Sequence, residues 1–230
     1  SIDSAIFAFE EYIKRGNDGI LFIHTYDIRQ IDVNNHYTPL DKFLEIDDLL
    51  NFIDPDIFNN KIKIINKIVD EDTIREYIYL SDVLLQTSKC EGFGLPILEA
   101  QKLGIPVITT KIGSMKDHNY NGISVEPCQK MYENIGKSIW YVPSIKGICD
   151  AIVSIKNNTY NNNREYAISK ISGSMSYNSV CSSIENIIKK NIDNKSYLEK
   201  REKRLDKYNT KKSSLLQIIY YDNENYIIDG

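Results

Sequence analysis

Two carboxylates, Glu91 and Glu99, stand eight positions apart around the start of a predicted helix. A β-branched and aliphatic run, Asp82–Thr87, leads into Glu91 and the glycine loop at 92–94, and Pro96 then opens the helix. The first N–H groups of a helix lack partners within it and lie at the positive end of its dipole, so they favour a phosphate. Carboxylates do not bind phosphates, so these two must address hydroxyl groups on the same ligand. The spacing therefore predicts a ligand with both a phosphate and sugar hydroxyls.

The elements on both sides of this helix indicate a parallel α/β fold. The predicted strand Val83–Gln86 precedes the loop, Gly104 ends the helix, and the apolar run Ile105–Thr109 predicts the next strand. A strand, a helix and a second strand in this order form a right-handed crossover in a parallel sheet. In open sheets of this kind, ligands bind beyond the carboxyl ends of the strands, where this loop would lie.

Apolar periodicity predicts the other elements of the chain. Helices are expected over Ile2–Ile13, Leu40–Phe52, the segment capped by Asp70, Ile145–Ile155 and Ser176–Lys190. Further strands are expected over Ile20–Thr25, Lys61–Asn66 and Gly122–Val125. The Asn-rich stretch Asn157–Asn163 is predicted to be a loop, and Leu215–Tyr221 with Tyr226–Ile228 is typical of a hairpin.

The nonapeptide Glu91–Glu99, followed by Ala100 and the step from Gly104 to Val107, resembles a signature of glycosyltransferases. It is similar to the retaining enzymes of the GT-B type, in particular family 4, whose signature is Glu, seven residues, Glu. The resemblance spans about Ser1–Lys190, and its specific part is Lys61–Glu126. It implies the donor-binding half of a GT-B fold, a Rossmann-like parallel sheet with flanking helices, and a C-terminal helical and hairpin extension.

The resemblance assigns separate roles to the two glutamates. Glu91 is expected to be the catalytic residue, near the donor sugar's hydroxyls, where it would stabilise positive charge at the anomeric carbon. Glu99 is expected to accept hydrogen bonds from both ribose hydroxyls of the nucleotide. The alternatives are structural: Glu91 would only cap the following helix, and Glu99 would lie on a solvated helix face.

Further residues are expected to line the donor site. The Gly92–Leu95 backbone would donate N–H groups to sugar and diphosphate, with the Phe93 side chain packing rather than binding. Val69 follows a predicted strand, where the family's chain passes the nucleotide base. The pair Gly113 and Ser114 either lines the pocket or forms a plain turn. The expected substrate-binding residues are thus Glu99, Gly92, Phe93, Gly94, Leu95, Val69, Gly113 and Ser114.

The resemblance also sets expectations about cofactors and partners. No metal or other cofactor is expected, because GT-B enzymes neutralise the leaving diphosphate with a helix dipole and basic groups. Those basic groups, with a strand, precede the first helix in the family, and an N-terminal acceptor-binding domain precedes them. The expectation is therefore a donor-binding half that acts with an acceptor domain in cis or in trans. The alternatives are a non-catalytic nucleotide-sugar-binding or scaffold domain, and a related GT-B epimerase or phosphorylase.

Composition adds limits of its own. The 230 residues carry a net charge of −4, but 189–212 holds ten basic and four acidic residues, so its net charge is +6 and that of the remainder is −10. A basic segment can bind nucleic acid or an acidic membrane surface, but here acids interleave and aromatics are sparse, so we interpret it as a solvated helix and expect no nucleic acid. No apolar run is long enough to cross a bilayer, so no integral membrane segment is expected. Four scattered cysteines indicate reduced thiols and a cytoplasmic location. The predicted organisation is a domain at 1–190, a basic helical linker at 191–212 and a hairpin-like tail at 213–230.

Overall fold

A computed structural model describes residues 1–25, 49, 51–133, 137–192, 203, 220–222 and 225–227. Over residues 1–125, helices alternate with short strands in the described part of the chain. The helices are α1 (Ile2–Lys14), α2 (Pro55–Lys61), α3 (Glu71–Tyr79), α4 (Leu95–Lys102), α5 (Gly113–Asp117), α6 (Ile145–Lys156), α7 (Arg164–Ser174) and α8 (Tyr177–Ile192). The strands are β1 (Leu21–Thr25), β2 (Ile62–Asn66), β3 (Leu84–Gln86), β4 (Val107–Thr110), β5 (Gly122–Val125), β6 (Pro127–Glu133), β7 (Ser138–Pro143), β8 (Tyr220–Asp222) and β9 (Asn225–Ile227).

The strands from β1 to β5 pair only in parallel. β1 pairs with β2, from Leu21 opposite Ile62 to Thr25 opposite Asn66. β4 lies between β3 and β5 in a second sheet. Residues of both sheets pack into the same hydrophobic core. Because β3, β4 and β5 run in one direction, their carboxyl ends share one edge, and the loop that holds Glu91 starts from it.

Two hydrophobic clusters hold the helices against these strands. In the larger cluster, α1 supplies Ile6 and Phe9, and α6 supplies Ile148 and Ile152. The smaller cluster packs α4 against β4 and α5 through its buried side chains Ile97, Ala100, Val107 and Met115. Full burial of each large aliphatic side chain contributes about 1.5–3 kcal/mol. The inner face of α4 is therefore firmly held, and this fixes the position of its N-terminus.

Side-chain caps define where several helices begin. The Asp70 carboxylate accepts a hydrogen bond of 2.8 Å from the Thr73 N–H, which confirms the predicted cap of α3. Asp54 accepts from the Asp56 N–H at 2.9 Å, just before the proline that opens α2. Ser144 caps α6 by accepting from the Gly147 N–H at 3.1 Å. These polar residues explain the helix starts that periodicity alone leaves open.

The chain divides into two compact units, Ser1–Met175 and Ser176–Gly230. In the second unit, α8 confirms the helix predicted there, and β8 pairs antiparallel with β9 as the predicted hairpin requires. Most of the basic segment at 191–212 lies outside the described residues, and the predicted boundaries at 190 and 212 stay predictions. None of the described helices is both long and apolar enough to cross a membrane.

The structure also contains elements that the sequence analysis did not predict, namely α2, α5, α7 and the antiparallel pair β6–β7. The Asn-rich stretch is a loop, as predicted, but α7 follows it at once and buries only Ala167 and Ile171, too few for a clear period. β6 mixes Cys, Gln and Lys with apolar residues and so lacks alternation. Most of the helix predicted over Leu40–Phe52 lies outside the described residues. Within that range, Leu49 is described and is helical.

Candidate functional site

The loop between β3 and α4 brings the predicted acid and the predicted glycines together. Glu91 is half-buried, and two hydrogen bonds hold its carboxylate. Its Oε2 accepts from Gln86 Nε2 at 3.2 Å, and its Oε1 accepts from the Gly92 N–H at 3.0 Å. Gln86 is the last residue of β3 and also donates to Ser88 Oγ at 3.0 Å. A fixed carboxylate thus stands at the carboxyl edge of the sheet.

The alternative role for Glu91, that of a helix cap, does not fit this geometry. The N-cap of α4 is Gly94, and no side chain caps the helix. Gly94 adopts the left-handed conformation with φ of 81°, and a Cβ there would lie 2.8 Å from Ile97 Cδ1. Glycine adopts this backbone conformation without the strain that a side chain would add, so it suits the turn into α4.

This turn leaves backbone donors open at the start of the helix. Pro96 has no N–H, and the Ile97 N–H donates to Gly94 O at 3.0 Å. Among the described hydrogen bonds, the N–H groups of Phe93, Gly94 and Leu95 have no acceptor. Three adjacent amides at the positive end of a helix dipole suit an anionic or hydroxyl-rich ligand.

Glu99 lies on α4, at whose start these donors stand, and its side chain is exposed to solvent. At a rise of 1.5 Å per residue, it stands about 6 Å along the axis from Leu95. No described residue forms a hydrogen bond or an ion pair with the Glu99 carboxylate. Its two oxygens are therefore available to a ligand, although the solvated helix face of the alternative reading has the same appearance.

The other predicted site residues fall into two groups. Ser114 lies against the loop, since its Oγ donates to Glu91 O at 3.4 Å, and Gly113 beside it has φ of 42°. Both residues belong to the short helix α5 rather than to a turn, and their place in a donor pocket stays a prediction. Val69 follows β2 in the other sheet, and no described hydrogen bond joins it to the loop. The Phe93 ring packs on the His118 ring with centroids 4.5 Å apart, as expected of a packing residue.

Two cations near the sheet edge are already paired. Lys89 Nζ lies 2.9 Å from Asp3 Oδ2, with both side chains about three-quarters buried. Burial acts to raise the pKa of Asp3, but hydrogen bonds from Lys89 and Ser1 outweigh it, so the pKa is lowered. Lys111, just after β4, forms an ion pair with Glu126. These two lysines could neutralise the charge of an anionic ligand only if they left the carboxylates of Asp3 and Glu126.

Sequence reasoning missed several of the contacts that shape this loop. Gln86 could have been identified as a polar residue at the carboxyl end of a strand, but its bond to Glu91 could not. No sequence pattern identifies a partner for His118, yet its Nδ1 lies 2.8 Å from Phe93 O. Lys89 and Asp3 are 86 positions apart, and no local pattern reveals such a pair. In the described part of the chain, no three His, Cys, Asp or Glu side chains are grouped as metal ligands.

Comparison with known proteins connects this site with glycosyl transfer. Residues 57–139 match the family model described as Glycosyl transferases group 1, and this segment contains the whole loop and α4. A 31-residue stretch is 64% identical to the O-antigen biosynthesis glycosyltransferase WclY of Escherichia coli and covers 14% of this chain and 9% of that protein. The matched segment is thus similar in sequence to a glycosyl transferases group 1 domain.

Solved structures show the same fold. The C-terminal domain of the glycosyl transferase group 1 family protein LpcC from Francisella tularensis aligns with a TM-score of 0.55 and 21% identity, over 76% of this chain and 80% of that one. Anabaena Alr3699/HepE, in complex with UDP and glucose, aligns with a TM-score of 0.52 and 15% identity, over 83% of this chain and 46% of that one. The α/β fold with parallel sheets and flanking helices therefore matches that of GT-B glycosyltransferases, and the chain spans about half the length of HepE.

Proposed function

We propose that this chain binds a nucleoside diphosphate sugar at the loop between β3 and α4 and serves as the donor domain of a retaining, family 4-like glycosyltransferase. The observation that carries the proposal is the arrangement of Glu91, three open amides and the exposed Glu99 around one helix N-terminus. The complex of HepE with UDP and glucose supports this class of ligand, because that protein shares the fold.

Each part of the arrangement suits one part of the ligand. The amides of Phe93, Gly94 and Leu95 donate to the diphosphate and to sugar hydroxyls, where the helix dipole also stabilises negative charge. Glu99 accepts from the ribose hydroxyls. Glu91, held by Gln86, lies near the sugar and stabilises an oxocarbenium-like centre as the C–O bond to the diphosphate breaks. Preorganised groups of this kind supply much of the rate in such reactions.

The proposed reaction also needs a bound acceptor. Holding donor and acceptor in register is worth roughly 7–11 kcal/mol of the barrier, and we propose that an N-terminal acceptor-binding domain provides the second surface in cis or in trans. We further propose that the enzyme is cytoplasmic and needs no metal. The four cysteines are free, as is common in a reducing compartment.

A non-catalytic nucleotide-sugar-binding or scaffold domain is the second candidate. The pairing of Lys89 with Asp3 and of Lys111 with Glu126 favours it, because both cations are neutralised locally. Glu91 separates the two candidates, since a scaffold has no need of a fixed carboxylate beside the sugar.

Titration calorimetry with a panel of UDP-, GDP- and ADP-sugars tests the proposed binding. We expect one nucleotide class to bind the isolated chain measurably and the Glu99→Gln variant to bind it more weakly. Glu76→Gln is the matched control, because Glu76 is an exposed glutamate on α3, remote from the loop in sequence. If no sugar nucleotide binds at millimolar concentration, the proposal is wrong.

A transfer assay with labelled donor and a broad acceptor panel tests the need for a second domain. We expect the 230-residue chain to give at most trace hydrolysis of the donor and no transfer. Robust transfer by this chain alone would show that its acceptor site lies within it.

A further inference from the structure

Gln101 is a fully buried polar side chain in α4, the helix that follows the glycine loop. Its Nε2 donates to Ile97 O and to His118 O, both at 2.8 Å. Its Oε1 accepts from the N–H groups of Tyr120 and Asn121, both at 2.7 Å. The amide thus uses both donor hydrogens and both acceptor positions on backbone groups. A satisfied buried amide of this kind holds α4 and the segment after α5 in a single arrangement.

His118 carries this arrangement from Gln101 to the loop. Its Nδ1 lies 2.8 Å from Phe93 O, and a carbonyl only accepts, so Nδ1 holds the hydrogen and donates. The rings of His118 and Phe93 also pack with a tilt of 58°. A continuous path of contacts therefore runs from Gln101 through His118 to Phe93, the residue at which the open amides begin.

We propose that Gln101 is a positioning residue, which acts through His118 to hold the Gly92–Leu95 loop in the conformation that presents its open amides. The identity of the ligand rests on the proposed function, whereas the rigidity of the loop does not. A methionine would fill the same space without the cost of burying an amide. The buried amide of Gln101 serves a different purpose from filling space. Three of its four hydrogen bonds join it to residues 118–121, and this segment contacts the loop.

Two variants and one control test this role. Gln101→Met keeps the side-chain length but leaves the Asn121 N–H without its acceptor and the Tyr120 N–H with only His118 O, at 3.1 Å. His118→Phe keeps a ring against Phe93 but removes the donor to its carbonyl. The control is Ile148→Val, which trims a fully buried side chain of α6 in the other cluster. Thermal unfolding of all three variants provides the common scale of stability.

Nitrogen-15 relaxation of the loop amides provides the first readout. We expect backbone order parameters near 0.85 in the wild type and in Ile148→Val, and values below about 0.6 at Phe93 and Gly94 in both test variants. Unchanged loop order parameters in a folded Gln101→Met or His118→Phe protein would overturn the proposal. If Gln101→Met does not fold, His118→Phe decides alone, because it leaves the buried amide in place.

Calorimetry with the same UDP-, GDP- and ADP-sugars provides the second readout. We expect both test variants to lose about tenfold in affinity, the effect of about 1.4 kcal/mol, whereas Ile148→Val keeps wild-type affinity. Equal affinities in Gln101→Met and Ile148→Val would show that Gln101 is only structural. If the wild type binds no sugar nucleotide but the loop loosens in both test variants, the proposed function fails and the positioning role stands.

Discussion

Replacement of Gly94 by alanine tests the geometry of the loop most directly. Gly94 has φ of 81° and ψ of 50° at the N-cap of α4. An L-residue in this left-handed conformation costs roughly 1–2 kcal/mol. The new Cβ would also lie 2.8 Å from Ile97 Cδ1, the movable end of a side chain, so the neighbour can shift and adds a smaller cost. We therefore expect Gly94→Ala to lower the melting temperature by about 2–8 °C for a chain of this length.

Two other glycines supply matched controls for this substitution. A Cβ on Gly92 meets nothing within 4 Å, so Gly92→Ala should leave the melting temperature unchanged or slightly raised. Gly113 also has open space but a φ of 42°, so Gly113→Ala isolates backbone strain from contact with a neighbour. Thermal unfolding followed by circular dichroism measures all three variants, and calorimetry measures their affinity for sugar nucleotides.

The binding data separate a local effect from a general loss of stability. Gly94→Ala should weaken nucleotide binding at temperatures where it is fully folded, because the amides of the loop move when the backbone relaxes. Equal melting temperatures for Gly94→Ala and Gly92→Ala would refute the assigned backbone conformation. Wild-type affinity in a measurably destabilised Gly94→Ala protein would refute the use of the loop as the binding site.

Three further predictions follow from single contacts. Glu99→Gln should weaken nucleotide binding more than Glu91→Gln, by about 1.5–3 kcal/mol for each charged hydrogen bond lost, whereas Glu91→Gln should mainly slow transfer in a protein that has its acceptor domain. Calorimetry should therefore show the larger effect for Glu99→Gln, and turnover should show the larger effect for Glu91→Gln. Unchanged affinity and turnover would contradict both assignments. Gly122→Ala should prevent folding, because its Cβ would overlap the backbone carbonyl of the neighbouring strand, and circular dichroism of a folded variant would contradict this. The folded-state pKa of Asp3 is lowered, so its pairing with Lys89 stabilises the fold fully at a pH above the ordinary aspartate pKa. This stabilisation is lost as the pH falls through the folded-state pKa. The melting temperature of Asp3→Asn should therefore lie below that of the wild type at neutral pH and approach it in acid.

The elements that the sequence predicted well are those in which one strong signal suffices. The helix Ile2–Lys14 buries Ile6 and Phe9 at helical spacing, and β4 is a continuous buried run between a glycine and a polar segment. Asp70 marks a helix start by chemistry that acts within three residues. The glycine loop was located for the same reason, since glycine and proline act on the backbone at their own positions.

The contacts that were missed join residues far apart in the chain, and the chemistry of either residue alone does not specify its partner. Gln101 reads as an ordinary polar residue in a helix, and only the fold brings the backbone at 118–121 to it. Its complete burial makes an ordinary amide the acceptor for two backbone N–H groups there, and among the described hydrogen bonds the Asn121 N–H has no other acceptor. The local pattern thus identifies which backbone groups could bind a ligand, whereas the long-range contacts determine whether those groups are held still. A site transferred from a short signature alone would include Glu91 and Glu99 but omit Gln86, His118 and Gln101, on which the geometry of the loop depends.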